Sequence, residues 1–256
     1  SATSATAVSK ARNKLSAEAF RALNALFIQE VAASGLGQQH WHDRQVFAVD
    51  GSVLNLPHKQ VLRDHFQGGA NGTDNVAPQA RLSTLTDVST GLFYHTQLLP
   101  YAFGEGVGAA EHLPHTPDAS VTLYDRGYAA FWLFADHRFH QRDFCARAKR
   151  GFNPEIDAFF TSEQSSKIIV LSPSQQAKAI CEEQGLSDAP IRVRLVRVLL
   201  PTGEVEVLLT SLMDEAHYPS ADFSRLYAMR WSIEVSYTFS KSRLQIESFS
   251  SHRVNG

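Results

Sequence analysis

Two apolar runs of strand length each meet an aspartate, and this pattern constrains the fold more than any other feature of the chain. Residues 46–54 read VFAVDGSVL, an apolar strand interrupted by Asp50 and followed there by Gly51. Residues 120–125 read SVTLYD, with Arg126 and Gly127 ending the run. A carboxylate at the end of an apolar strand is costly to bury unless a cation or hydrogen bonds compensate. Taken singly, Asp50 and Asp125 also read as ordinary turn residues in Asp-Gly-Ser and Asp-Arg-Gly.

The surrounding pattern gives an element order. Residues 1–8 are small and polar. Apolar positions Leu15, Phe20, Leu23, Leu26, Phe27 and Val31 predict a helix over 9–34, with Gly35 as its stop. A strand follows at 46–54, then a Gly-, Asn- and His-rich loop over 57–79. Strands at 80–88 and 91–99 flank a turn at Ser89–Gly91. A short helix at 104–113, a strand at 120–125, a helix at 128–138 and a strand at 142–149 come next. The order β-β-β-α-β-α-β predicts a mixed α/β sheet. Residues 150–215 change character. Val193–Leu199 and Val205–Leu209 flank Pro201-Thr202-Gly203 and read as a β-hairpin in a strand-rich insertion. A long helix is predicted over 218–247.

That helix carries Tyr227, Arg230, Glu234 and Lys241, spaced Y-x2-R-x3-E-x6-K. At helical geometry the four fall at roughly 0°, −60°, −20° and −40° around the axis. An acid, a phenol and two cations thus share one stripe. Leu226, Ile233, Tyr237 and Leu244 flank it on one side, and Ala228, Val235, Phe239 and Ile246 on the other. A polar stripe bracketed by apolar packing reads as the wall of a cleft. The plainer alternative is a surface helix with an Arg230–Glu234 pair worth tenths of a kcal/mol. Asp50, Asp125 and Glu234 together would repel strongly without a cation. They form a hard oxygen site suited to Mg²⁺ or Mn²⁺. Arg147 and Lys149 alternate on the predicted strand 142–149 and point to one face. With Arg126, Arg230 and Lys241 they can line a basic groove.

The 256 residues are 43% hydrophobic and carry a formal net charge of −2, ordinary for a globular chain and not basic overall. Near-neutrality counts mildly against a nucleic-acid partner but leaves room for a local basic cleft. Cys145 and Cys181 give no disulfide framework and fit a reducing interior. No apolar run approaches membrane-span length, and no signal peptide is visible. No P-loop, GxGxxG or GxSxG pattern occurs. His137 and His140 read as a helix-end surface pair.

Asp50 in VDGS, Asp125 in YDRGY and the Tyr227–Lys241 signature together resemble the DDE transposases of bacterial insertion sequences, and among them the insertion-sequence-four family. PQARLSTLTDVSTG is similar to that family's second strand and hairpin. The resemblance covers roughly 40–253. It implies a ribonuclease-H-like mixed sheet flanked by helices, with a β-rich insertion between the second Asp and the Glu. It implies a division into an N-terminal helical segment (1–40), a first core part (41–149), the insertion (150–215) and a closing part (216–256) with the Glu helix. It further implies catalytic, metal-binding Asp50, Asp125 and Glu234 holding two divalent cations, Mg²⁺ or Mn²⁺. Tyr227, Arg230, Lys241, Arg147, Lys149 and Arg126 would contact DNA, at transposon ends and target. A homodimer in the active complex, a cytoplasmic, nucleoid-associated location and no membrane contact are expected. The alternatives are a stand-alone nuclease on the same fold and a domesticated, non-catalytic DNA-binding relative. Family members stack a flipped base on a Trp in the insertion, whereas Trp41, Trp132 and Trp231 all lie outside 150–215. An end-recognition region is expected to be missing or very short, as in a catalytic fragment.

Overall fold

The fold is given by a computed structural model that describes residues 16–67, 77–200 and 202–230, together with 7, 11 and 14. Its centre is one nine-stranded mixed sheet. The strands are β1 (His40–Trp41), β2 (Arg44–Asn55), β3 (Gln79–Asp87), β4 (Phe93–Pro100), β5 (Ser120–Tyr124), β6 (Asp143–Arg147), β7 (Ser166–Leu171), β8 (Ile191–Leu199) and β9 (Val205–Thr210). They lie in the order β4-β3-β2-β5-β6-β9-β8-β7, with β1 paired to β2. β2, β3 and β4 form an antiparallel meander, while β5 and β6 add in parallel beside β2. This is the mixed α/β sheet that the element order predicted, with the helical flanks that the family resemblance implied.

The helices are α1 (Ala17–Ser34), α2 (Gln60–Phe66), α3 (Glu105–Ala110), α4 (Phe131–His140), α5 (Pro154–Phe160), α6 (Gln175–Glu183) and α7 (Phe223–Ala228). α1 starts where the Ser16 hydroxyl accepts from the Ala19 N–H. It stops at Gly35, whose φ of 65° a side chain would disfavour. None of its described residues is buried. Asn24 Nδ2 donates to Phe93 O at 2.9 Å, tying it to β4.

Strand alternation divides the core. Phe47, Val49, Tyr124 and Phe144 face one side with α4, while Val46, Ala48, Val121, Leu123 and Cys145 face the other. On that second side Phe223, Leu226 and Tyr227 of α7 pack down onto the sheet.

Several boundaries differ from the sequence reading. The loop expected over 57–79 contains α2, because Leu62 and Phe66, four residues apart, pack against Leu56 and Ala80. The segment 150–215 contains the hairpin β8–β9, but also β7 and the helices α5 and α6. Its strands extend the core sheet directly, since β9 pairs with β6. The strand expected over 142–149 ends at Arg147, two residues before Lys149. Of the helix expected over 218–247, Phe223–Ala228 is described, preceded by a 3-10 turn at Ser220–Asp222. No described helix is long and apolar enough to cross a membrane.

Candidate active site

The parallel register of β2 and β5 runs from Gln45 opposite Ser120 to Ala48 opposite Leu123. Asp50 and Asp125 lie two residues beyond that last pair, one on each strand. Asp125 keeps extended backbone, φ −75° and ψ 171°, so the alternation carries through it. Both aspartates therefore share the face of Ala48 and Leu123, the face that α7 covers. Neighbouring strands stand about 4.8 Å apart, which brings two in-register carboxylates within reach of one small cation.

Asp50 is not the last residue of its strand. β2 continues to Asn55 against β3, with Asp50 opposite Thr84. Asp50 sits instead where β2 loses its other neighbour, because the chain leaves β5 at Asp125. Asp50 Oδ1 accepts from the Gly51 N–H at 2.9 Å. Gly51 leaves room for the Tyr128 hydroxyl, which a Cβ there would meet at a tight 3.3 Å.

β6 and β9 continue the row. Tyr124 pairs with Ala146, so Asp125 and Arg147 are the next residues along. Arg147 Nη1 lies 3.9 Å from Asp125 Oδ1. The other end of the guanidinium, Nη2, is ion-paired with Glu206 on β9. Glu206 is only 6% exposed. Asp50, Asp125, Arg147 and Glu206 thus form a row across four adjacent strands. The sequence reading missed Glu206, although its place amid apolar Val205, Val207 and Leu208 was a visible signal.

Two buried atoms in this row lack a hydrogen-bond partner among the described residues: Asp125 Oδ1 and Arg147 Nε. An acceptor without a donor beside a donor without an acceptor is costly in a protein interior. A divalent cation next to a phosphate would satisfy both. The donor set fits such an ion: hard carboxylate oxygens on neighbouring strands, in register. Among the described residues no group of three or more His, Cys, Asp or Glu could hold a metal ion. Glu234, expected as the third carboxylate, and Lys241 lie outside the described residues.

Tyr227 lies beneath the row, buried, and its hydroxyl donates to Tyr124 O at 3.4 Å. Burial pushes the phenol well above its ordinary range, the positive charges of Arg230 and Arg147 pull it back, and the Asp125 charge raises it further. The phenol therefore keeps its proton. Arg230 is also buried, and its guanidinium lies 5.8 Å from the centre of the Tyr227 ring. Arg126 is exposed in the 3-10 turn Arg126–Tyr128 that follows Asp125. Lys149 is exposed two residues past the end of β6. The structure thus brings Asp50, Asp125, Arg147, Tyr227 and Arg230 to one face, and leaves Arg126 and Lys149 at its rim. Of the tryptophans, Trp41 is buried against Tyr218 and Phe223, Trp132 packs against Gly106, and Trp231 is outside the described residues.

The model of the family "Transposase DDE domain" matches residues 41–256. The "Putative transposase InsZ" of Escherichia coli (strain K12) is 32% identical over 123 residues, covering 47% of this chain and 41% of its own. The "Transposase InsG for insertion sequence element IS4" of the same organism is 24% identical over 253 residues, covering 94% of this chain and 55% of its own. The chain spans about half the length of these relatives. A solved structure of piggyBac transposase in a synaptic complex with hairpin DNA aligns with 77% of this chain and 40% of that one, at 10% identity and a TM-score of 0.46.

Proposed function

Because the chain belongs to the transposase DDE domain family, of the insertion-sequence-four type, we propose that it is a transposase catalytic core that cleaves transposon ends and transfers them to target DNA. The observation that carries this reading is the pair of buried atoms, Asp125 Oδ1 and Arg147 Nε, that have no hydrogen-bond partner among the described residues, in the row that begins at Asp50. One asks for a cation and the other for an anion, and a phosphodiester with its metal ion supplies both.

In this reading Asp50, Asp125 and Glu234 hold two divalent cations, Mg²⁺ or Mn²⁺. Such ions supply Lewis-acid stabilisation of a phosphoryl centre and lower the pKa of an attacking water or 3′-hydroxyl. The protein's own groups position the DNA. Arg147, held from behind by Glu206, offers its remaining N–H to a phosphate oxygen. Arg230 and Lys241 are read as further phosphate contacts, and Arg126 and Lys149 as contacts to the DNA strand at the rim. Tyr227 supports Tyr124 and Arg230 from below, and its neutral phenol adds no charge to the site. The segment 150–215 is read as an insertion into the core, and 216–256 as the part that completes it. The active complex is read as a homodimer on paired ends.

The test is cleavage and joining of end-containing DNA with Mg²⁺. Asp50→Ala, Asp125→Ala and Glu234→Ala should each abolish cleavage while DNA binding survives. Wild-type-like cutting by any of the three refutes the assignment. Cleavage without strand-transfer product would identify a stand-alone nuclease, and binding without cleavage a non-catalytic relative.

A further inference from the structure

We propose that Glu206 is a positioning residue of this site: it holds Arg147 back from Asp125, so that Asp125 stays open to a cation and Arg147 stays open to a phosphate. The proposal rests on the metal-and-phosphate reading of the row and adds a residue to it.

Arg147 stands between two carboxylates. Asp125, with a side chain 43% exposed, offers Oδ1 at 3.9 Å from Nη1, too long for a hydrogen bond. Glu206, 6% exposed, is in direct contact with Nη2. The buried carboxylate has the stronger claim, because a desolvated charge loses more when its partner leaves. Its place is fixed by the sheet: Glu206 lies between Val205 and Val207 on β9 and pairs with Val198 on β8. An arginine has five N–H donors in a rigid fork. Engaging one edge of that fork with Glu206 fixes its plane and leaves Nε without a partner among the described residues. If Glu206 lost its charge, the carboxylate left against Arg147 among the described residues would be Asp125. Closure of Arg147 onto Asp125 would fill the cation position with a guanidinium and withdraw Arg147 from the DNA.

This gives a sign opposite to simple electrostatics. Removing one negative charge beside a DNA site should tighten DNA binding. Capture of Arg147 by Asp125 should weaken it. Binding of a fluorescein-labelled mixed-sequence duplex, measured in EDTA, separates the two without any metal. Glu206→Gln should weaken binding about fivefold, on the scale of one charged phosphate contact. Glu206→Asp, which keeps the charge, should stay within about twofold of wild type. In an Asp125→Asn background Glu206→Gln should no longer weaken binding, because the Asp125 charge that would capture Arg147 is gone. Tighter or unchanged binding by Glu206→Gln, or equal weakening in both backgrounds, overturns the proposal. A second measurement needs no variant at Glu206. In wild type, the Arg147 guanidinium nitrogens should show hindered rotation in ¹⁵N spectra, and free averaging overturns the proposal as well. Mn²⁺ binding to wild type, lost in Asp125→Ala, checks the underlying site independently. Its failure would remove the metal reading while leaving the DNA-binding cycle to decide on Glu206.

Discussion

Arg194 Nη1 donates to Tyr218 O at 2.7 Å, and this bond fastens the extended edge of the sheet to the chain that leads into α7. Arg194 is fully buried on β8. Its other donors reach Ser220 Oγ and Ser166 Oγ, each at 2.8 Å, and its guanidinium lies 5.3 Å from the Phe223 ring centre. One side chain from the segment 150–215 thus sets where α7 begins, and α7 carries Tyr227 over the site. Arg194→Met should destabilise the fold by about 2–4 kcal/mol, since several buried acceptors lose their donor at once. Arg194→Lys should recover only part of this, because an ammonium cannot reach the same spread of partners. Urea unfolding at neutral pH checks both, and a wild-type midpoint for the methionine variant would contradict the role.

The sequence made some of this arrangement legible and hid the rest for physical reasons. Asp50 and Asp125 stood out because a charge in an apolar run is expensive. Their exact alignment did not, because register between β2 and β5 is set by pairing across the intervening meander. Gly51 announced a close approach, but not that the approaching group would be the Tyr128 hydroxyl. Arg194 was passed over because it looks like one polar residue in an alternating strand, and Glu206 because a lone carboxylate in an apolar hairpin strand does not name its partner. Only the sheet order, which lays β9 beside β6, brings Glu206 to Arg147. Lys149 was credited to a strand that ends two residues before it. The helix stripe marked Tyr227 as polar, whereas its ring belongs to the core.

Tyr227 separates packing from chemistry. Its hydroxyl makes one long bond to Tyr124 O. Tyr227→Phe should therefore cost less than about 1 kcal/mol, whereas Tyr227→Ala should cost about 3–5 kcal/mol through the cavity it leaves. Because burial raises the phenol above its ordinary range, the cleavage rate of wild type should show no tyrosine titration up to about pH 9. A loss of rate at alkaline pH that disappears in Tyr227→Phe would show the phenol ionising in the site.

The start of β2 holds the same connector from below and gives it an acid sensitivity. Asp43 Oδ1 accepts from the Tyr218 hydroxyl at 2.7 Å and pairs with His217 Nε2 at 3.0 Å. Burial acts to raise the Asp43 carboxyl, but the bonds to Tyr218 and His217 and the Arg44 charge outweigh it and hold it at about 2, against an ordinary 3.8. A carboxylate depressed in the folded state contributes stability above its unfolded pKa and loses it as pH falls through the folded one. The stability difference between wild type and Asp43→Asn should be constant above about pH 5 and shrink between about pH 4 and pH 2. Thermal melts across that range check this. The side chain is half exposed, so the difference should be small and weaker in high salt. A difference that grows on acidification would reverse the assignment.

Metal addition offers a test of the row that needs no DNA. An ion that binds the folded chain and not the unfolded one stabilises it by mass action, about 2.7 kcal/mol at a hundredfold excess over its Kd. Mn²⁺ should raise the melting temperature of wild type in a concentration-dependent way. Asp50→Ala and Asp125→Ala should abolish the increment, because each removes half of the in-register carboxylate pair. Arg147→Met should enlarge it, since a competing guanidinium 3.9 Å from Asp125 is gone. The three variants thus move the same observable in opposite directions. General salt effects on the folded state would shift all of them alike, so equal increments in wild type and in Asp125→Ala would place the ion elsewhere on the molecule.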